Sequence, residues 1–257
     1  MTDVHPGAFV DPKAQLGPGV RVGPGAVIGP HVRLGEGTTV GSHALITGWT
    51  RVGAGCTLHH GAVLGSAPQD LKYRPVESYL EIGDRTEIRE YATLNVGTEA
   101  GAATRVGSDC LLMAYTHVAH NCHLGDRVVV ANCVQFAGYV TVEDWVIVGG
   151  GTMVHQFVRI GRHAMLGGMS RVSQDVAPYI KIAGTPPRPA GINAIGLERR
   201  GFARERREAI DRAYRLLFRE GRPMTEAIAA MREAYPNDPD VEHLARFSET
   251  TTRGLSR

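Results

Sequence analysis

Every sixth residue from Val4 to Val172 is Val, Ile, Leu or Phe, and only Asp70 and Ala100 break the rule. Two places before each of these aliphatic anchors sits a small or β-branched residue, as at Ala14, Val20, Ala26, Val32, Thr38, Ala44 and Thr50. The place after the anchor is often glycine, as in Leu16-Gly17, Val22-Gly23, Leu34-Gly35, Val106-Gly107, Leu124-Gly125 and Val148-Gly149. A helix returns its apolar face every 3.6 residues and a half-buried strand every 2. A period of six fits neither. It describes a coil with flat sides, one side per hexad, and three sides close a triangular turn of roughly 18 residues. Anchors then point inward, small residues fill the inner corners, and stacked turns form parallel sheets about 4.8 Å apart around one apolar column. The glycine is expected to permit a turn conformation that a side chain would obstruct.

The two exceptions mark excursions. Around Asp70, the run Ser66-Ala67-Pro68-Gln69-Asp70-Leu71-Lys72-Tyr73 interrupts the hexads with proline and charge, and Gly97 and Gly101 bracket a second interruption over 98–104. Loops that leave a regular scaffold tend to carry function. Cys56, Cys110 and Cys122 fall two places before an anchor, the slot for small residues, and read as packing groups. The repeat stops near Pro178, and Thr185-Pro186-Pro187-Arg188-Pro189 reads as a linker. Beyond Asn193 the pattern turns helical. Ala209, Ala213, Leu216 and Leu217 share one face before Gly221; Ile228, Met231 and Tyr235 mark a second helix; a third begins at Asp238-Pro239 and uses Val241, Leu244 and Phe247. The division is a β-coil domain over 1–190 and an α-helical domain over 191–257.

Composition adds little beyond this. The 32 glycines exceed the roughly 18 of an average chain this long, as a sharply turning backbone demands. A formal charge of +2 gives no ground for a nucleic-acid partner, and no apolar run is long enough for a membrane span or export signal. No CxxC pair is present. A cytoplasmic protein without stable membrane insertion is expected.

Candidate chemistry concentrates at Thr116-His117-Val118-Ala119-His120-Asn121-Cys122-His123. In the six-residue register Val118 and Cys122 face the core, so His117 and His120 lie outside and cannot readily converge with Cys122 on a metal ion. Acid-base chemistry suits an outward histidine better, because imidazole takes and returns a proton near neutral pH. Stacking by 18 places Gly138 one coil from His120 and Gln156 two coils away, with Tyr139 and His155 beside the same column. Glycine there leaves room for a reacting carbonyl and offers an N–H to an oxyanion.

The repeat resembles that of the hexapeptide-repeat acyltransferases, and that resemblance implies a left-handed parallel β-helix. Periodicity does not supply the hand, since parallel crossovers are in general right-handed. Pro68-Gln69-Asp70-Leu71-Lys72-Tyr73, His117-Val118-Ala119-His120, Val154-His155-Gln156-Phe157 and Gly196-Leu197-Glu198-Arg199-Arg200-Gly201-Phe202 narrow the resemblance to the UDP-N-acetylglucosamine O-acyltransferases. That family implies transfer of a 3-hydroxyacyl chain from acyl carrier protein to the sugar 3-hydroxyl, the first step of lipid A synthesis, by a homotrimer without a cofactor or metal. It implies His120 as general base and Gly138 as oxyanion donor. Asp70, Lys72, His117 and Tyr139 would meet the glucosamine end, and His155, Gln156, Asn193, Arg199 and Arg200 the nucleotide. Gly168 would end the acyl groove. An arginine-rich face through Arg204, Arg206 and Arg207 would suit either the solvent or an acidic carrier protein.

Three positions depart from the family pattern. Asn121 stands where an acidic neighbour of the base is common, Tyr139 where histidine is common, and Ile195 where an acidic residue would meet the nucleotide. N-acylation of a 3-amino sugar by the same residues therefore stays open, as does a zinc hydratase of the carbonic anhydrase type. A later N-acyltransferase of the pathway would be expected to carry an extra N-terminal domain, and here the hexads begin at Val4.

Overall fold

The computed structural model describes residues 2–256 and is a parallel β-helix followed by four helices. Two- to five-residue strands stack into three sheets of 11, 9 and 8 strands, which begin at Asp3–Val4, Phe9–Val10 and Gln15–Leu16 and form the three faces of a prism. Thr57 pairs with Thr39, 18 positions back, so one coil is three hexads. The anchors fill the interior, Ile28, Ile46, Leu64, Leu94, Val118 and Phe136 all being fully buried. Each such side chain removed from water is worth roughly 1.5–3 kcal/mol.

The small inner-corner residues do more than fit. Thr38 donates from Oγ1 to the Gly53 carbonyl at 2.8 Å, and Cys122 donates from Sγ to the Ala137 carbonyl at 3.1 Å. Burial pushes the Cys122 thiol up to about 12. It is a packing group turned away from the outer surface.

The glycines after the anchors are needed for a different reason from the expected turn. A Cβ on Gly35 would lie 2.5 Å from the Gly53 carbonyl carbon of the next coil, so it is the close approach of stacked backbones that excludes a side chain. The left-handed conformation falls two residues later and is adopted by side-chain-bearing residues, including His43, Asn121, Tyr139, Trp145 and His163. Elsewhere the same position is glycine, as at Gly19, Gly37 and Gly55, so only some coil corners display a side chain there, and those corners stack into columns.

Both excursions leave the prism at the corner between the second and third faces. Pairs normally 18 apart become 30 apart at Thr57–Glu87 and 24 apart at Glu87–Leu111, so the insertions amount to 12 and 6 residues. Both are multiples of six, which is why the anchor register runs through them unbroken. Val76 keeps the register in sequence yet lies in the first excursion, off any strand, alongside Asp70. The excursions are tied together: Val96 N–H donates to the Ser66 carbonyl at 3.1 Å, Gly101 N–H to the Glu77 carbonyl at 2.8 Å, and Ser78 Oγ to the Gly97 carbonyl at 2.7 Å.

The proline-rich segment is the bend of a hairpin. Ile180–Ala183 extends the first face parallel to Met165–Leu166, and Arg188–Ile192 returns antiparallel to it. Four helices follow: α1 (Ala194–Arg199), α2 (Arg204–Phe218), α3 (Met224–Ala234) and α4 (Pro239–Glu249). Asp238 caps α4, its carboxylate accepting from the Asp240 and Val241 N–H groups at 2.9 Å each. Tyr235 is the residue that ends α3. Tyr179 closes the prism's interior, fully buried, and donates to Asp240 at 3.0 Å, while Arg206 pairs with the same carboxylate. The chain then returns to the β-helix, where Asp175 N–H donates to the Gly254 carbonyl at 2.9 Å.

Candidate active site

The corner that carries the excursions also carries His120. It follows the second-face strand His117–Val118, and beyond it along the same edge lie Gly138 and Tyr139, then His155, Gln156 and Phe157. A cavity of about 370 Å³ opens here, with His117, His120, Gly138, Gln69 and Asn95 among its walls. Phe136, Ala137, Met153 and Val154 make the rest of that wall largely apolar.

His120 is half-buried, and its Nδ1 lies 3.0 Å from Asn121 Oδ1. Which end of the Asn121 amide faces the imidazole is decided by its other partners. The Thr98 N–H, which can only donate, points at Oδ1 from 3.1 Å. The Glu99 carboxylate, which accepts, takes a hydrogen bond from Nδ2 at 3.1 Å. Oδ1 is therefore the atom against His120, and an amide oxygen only accepts. In the neutral imidazole the proton therefore sits on Nδ1, and Nε2 keeps the lone pair. A Cβ on Gly138 would come 2.5 Å from His120 Cε1 and 2.8 Å from Nε2, so any larger residue would displace the ring. Gly138 is buried, its carbonyl accepts from Phe157 N–H at 3.2 Å, and its own N–H has no acceptor among the described residues. An N–H without a partner beside an imidazole with a free lone pair can serve one proton transfer and one developing oxyanion.

His117 is wedged against Thr93, with Nδ1 2.7 Å from Oγ1. Burial lowers its pKa below the usual imidazole value, and His120 nearby adds to the effect. Tyr139 sits edge-on to His120 with ring centroids 5.4 Å apart and stacks on Phe157 at 5.1 Å. Its hydroxyl donates to Glu99 at 2.6 Å, a bond that raises the phenol's pKa and, with Thr98, lowers the carboxyl's. The sequence marks 98–104 as an excursion but does not name Thr98 or Glu99 as site residues. Asn95 was missed as well: it is buried, its Nδ2 donates to the Ala67 carbonyl at 3.1 Å, and its Oδ1 has no partner among the described residues.

The remaining sequence candidates are dispersed. Asp70 bears electrostatically on Tyr139, and its carboxylate accepts from the Lys72 N–H at 2.9 Å; Lys72 itself is exposed on the excursion. His155 and Gln156 are exposed one coil beyond Gly138. Gly168 belongs to the corner between the first and second faces, where a Cβ would lie 3.0 Å from the Gly150 carbonyl oxygen.

Asn193 is buried and caps α1, accepting from Gly196 N–H at 3.3 Å and donating to the His163 carbonyl at 2.9 Å, so both ends of its amide are used internally. Arg199 and Ile195 are exposed on α1, and Arg200 donates from Nη1 to His163 Nδ1 at 3.0 Å. His163 and Arg200 lie by the corner between the third and first faces. Within one chain, therefore, the arginines and His120 occupy different edges of the prism. Among the described residues, no three His, Cys, Asp or Glu side chains are grouped to hold a metal ion, and no helix is long and apolar enough to cross a membrane.

The family model described as Udp N-acetylglucosamine O-acyltransferase, Domain 2 matches residues 175–256, and that of the bacterial transferase hexapeptide (six repeats) matches 1–36 and 103–138. The chain is 49% identical to the acyl-[acyl-carrier-protein]--UDP-N-acetylglucosamine O-acyltransferase of Herminiimonas arsenicoxydans, over the full length of both. Among solved structures it resembles the UDP-N-acetylglucosamine acyltransferase of Bacteroides fragilis, with a TM-score of 0.96 and 38% identity over 98% of this chain and 99% of that one. The Francisella novicida UDP-N-acetylglucosamine acyltransferase follows with a TM-score of 0.93 and 35% identity over 99% and 94%.

Proposed function

The chain belongs to the UDP-N-acetylglucosamine O-acyltransferase family and is an acyltransferase, and on that premise we propose that it moves a (R)-3-hydroxyacyl chain from acyl carrier protein to the 3-hydroxyl of UDP-N-acetylglucosamine, with His120 as general base. The observation that carries the reading is the pairing of a lone pair at His120 Nε2 with the partnerless Gly138 N–H on one cavity wall. Nε2 takes the proton of the sugar hydroxyl as its oxygen attacks the thioester carbonyl. The carbonyl oxygen becomes an oxyanion against the Gly138 N–H. Collapse of the tetrahedral intermediate breaks the carbon–sulfur bond, and the imidazolium returns its proton to the departing thiolate.

His117, Asp70, Lys72 and Tyr139 then meet the glucosamine, and His155, Gln156, Arg199 and Arg200 meet the uridine diphosphate, whose oxygens suit guanidinium donors. Asn193 acts through α1, which it caps, and Gly168 lies toward the far end of the acyl chain. Since Arg199 and Arg200 occupy another edge than His120, a site that uses both sets is completed by a neighbouring copy, and a homotrimer closes that arrangement symmetrically. The protein would act in the cytoplasm, at the first step of lipid A synthesis, with no cofactor.

The test is an assay of the purified protein with 3-hydroxyacyl carrier protein and either UDP-N-acetylglucosamine or its 3-amino analogue. Ester formation that disappears in His120→Ala is the expected result. Activity on the amine alone would overturn the acceptor assignment, and full activity in His120→Ala the base assignment.

A further inference from the structure

An asparagine beside a catalytic histidine poses a problem that a carboxylate does not. A carboxylate presents an acceptor whichever way it turns, whereas an amide has two ends of nearly the same shape and opposite polarity. Were Asn121 to flip, Nδ2 would face His120 Nδ1, which would have to become the acceptor. The imidazole proton would then move to Nε2, the atom that has to take the proton of the attacking group. Something must hold the amide in one orientation.

Resting on the reading of His120 as the base, we propose that Glu99 is a positioning residue that keeps the Asn121 amide oxygen turned toward His120 and so preserves the Nε2 lone pair. Glu99 Oε2 accepts from Asn121 Nδ2 at 3.1 Å, and Oε1 accepts from the Tyr139 hydroxyl at 2.6 Å. The flipped amide would set its oxygen against this carboxylate. Thr98 works from the other side, its N–H and Oγ1 both donating to Asn121 Oδ1, at 3.1 and 2.9 Å, and its Oγ1 also lying 3.1 Å from the Tyr139 hydroxyl. Tyr139 in turn lies edge-on to His120, so the clamp closes on itself around the base. Its donors hold the Glu99 carboxyl below the usual carboxylate range, which keeps it an acceptor at neutral pH. Thr98 and Glu99 both belong to the shorter excursion, the six-residue insertion beside the coil of His120. That insertion thus has a chemical task. It brings to the corner the one acceptor that an asparagine at position 121 requires.

The dependence is conditional, and the experiment uses that. Glu99→Ala should lower kcat about tenfold with both KM values within about twofold of wild type. Asn121→Asp alone should lower kcat by at least as much, because two carboxylates then face each other. In Glu99→Ala/Asn121→Asp, aspartate is an acceptor without any clamp, so kcat should rise above both single variants. A loss of function through packing alone would not reverse sign in this way. Should Glu99→Ala fail to fold, Glu99→Gln serves: its amide oxygen still accepts from Asn121 while the Tyr139 hydroxyl turns to accept from its amide nitrogen, and at least half of kcat should remain. Additive losses in the double variant, wild-type kcat in Glu99→Ala, or a collapse of kcat in a folded Glu99→Gln would each overturn the proposal. His120→Ala run alongside separates the two ideas: activity there removes the base itself, whereas its loss together with an unaffected Glu99→Ala removes only the clamp.

Discussion

His120 and His163 sit at two different corners of the same prism, and their neighbours give them opposite chemistry. At His120 the group against Nδ1 is an amide oxygen, so the neutral ring carries its proton there and its lone pair at Nε2. At His163 the group against Nδ1 is the Arg200 guanidinium, which only donates. His163 is moreover buried between Trp145 and Tyr179, with ring centroids 6.1 and 5.8 Å away. Desolvation, with the positive charge of Arg200 behind it, pushes its pKa down to about 4. One corner presents a proton acceptor to a cavity. The other uses the same residue type as a neutral bracket between the β-helix and the helices. An imidazole becomes a base because of the polarity of its nearest partner and its access to a cavity, and its mere presence at a corner decides nothing.

The comparison breaks hardest at His120. His120→Ala should lower kcat by about a thousandfold without moving the melting temperature, whereas His163→Ala should leave kcat within about threefold in the folded protein and cost roughly 2 kcal/mol or more of stability. Steady-state kinetics and thermal melts on both variants check this, and the opposite assignment would show as a stability loss at His120. Next in size is Gly138→Ala. Its Cβ would collide with the imidazole, and kcat should fall about a hundredfold. The same substitution at Gly37, where a Cβ meets nothing within 4 Å, should leave kcat unchanged and cost only the strain of a positive φ.

A smaller effect separates the corners by pH. His163 binds its proton less readily folded than unfolded, so between about pH 6.5 and 4 the unfolded chain holds more protons and stability falls as the pH drops. Melting at pH 7.5 and pH 5 should show the decline, and His163→Gln should flatten part of it. Smallest is Tyr139→Phe, which removes one donor on Glu99 but keeps the ring against His120. Its kcat should fall less than about fivefold, with the pH profile of the reaction little changed.

Much of this arrangement could be read in advance, for one physical reason. Whether a residue faces the core is a property of its own position in a period, and burial of Val, Leu and Ile enforces that position coil after coil. The inward anchors, the small inner corners with Cys56, Cys110 and Cys122, the outward His117 and His120, and the stacking of Gly138 on His120 all follow from counting by six and eighteen. Counting also misled at one point. The two excursions have lengths divisible by six, so Val76 kept its place in the register although it lies outside the prism.

What counting could not reach is anything that depends on two side chains meeting. Glu99 lies 22 positions from Asn121 in an excursion whose path no periodicity describes, yet it stands against the Asn121 amide and fixes its polarity. The resemblance sets Asn193 at the nucleotide, and in the fold both ends of its amide are engaged, by α1 and by His163. The resemblance sets Arg200 at the nucleotide, and within one chain the coil order places it at another edge than His120. The sequence by itself determined the β-helix, its faces and which histidines look outward, because each of these follows from burial, residue by residue. Only the tertiary structure decided which histidine has a lone pair to offer, because a hydrogen bond has a donor and an acceptor and its direction exists only once both partners are in place.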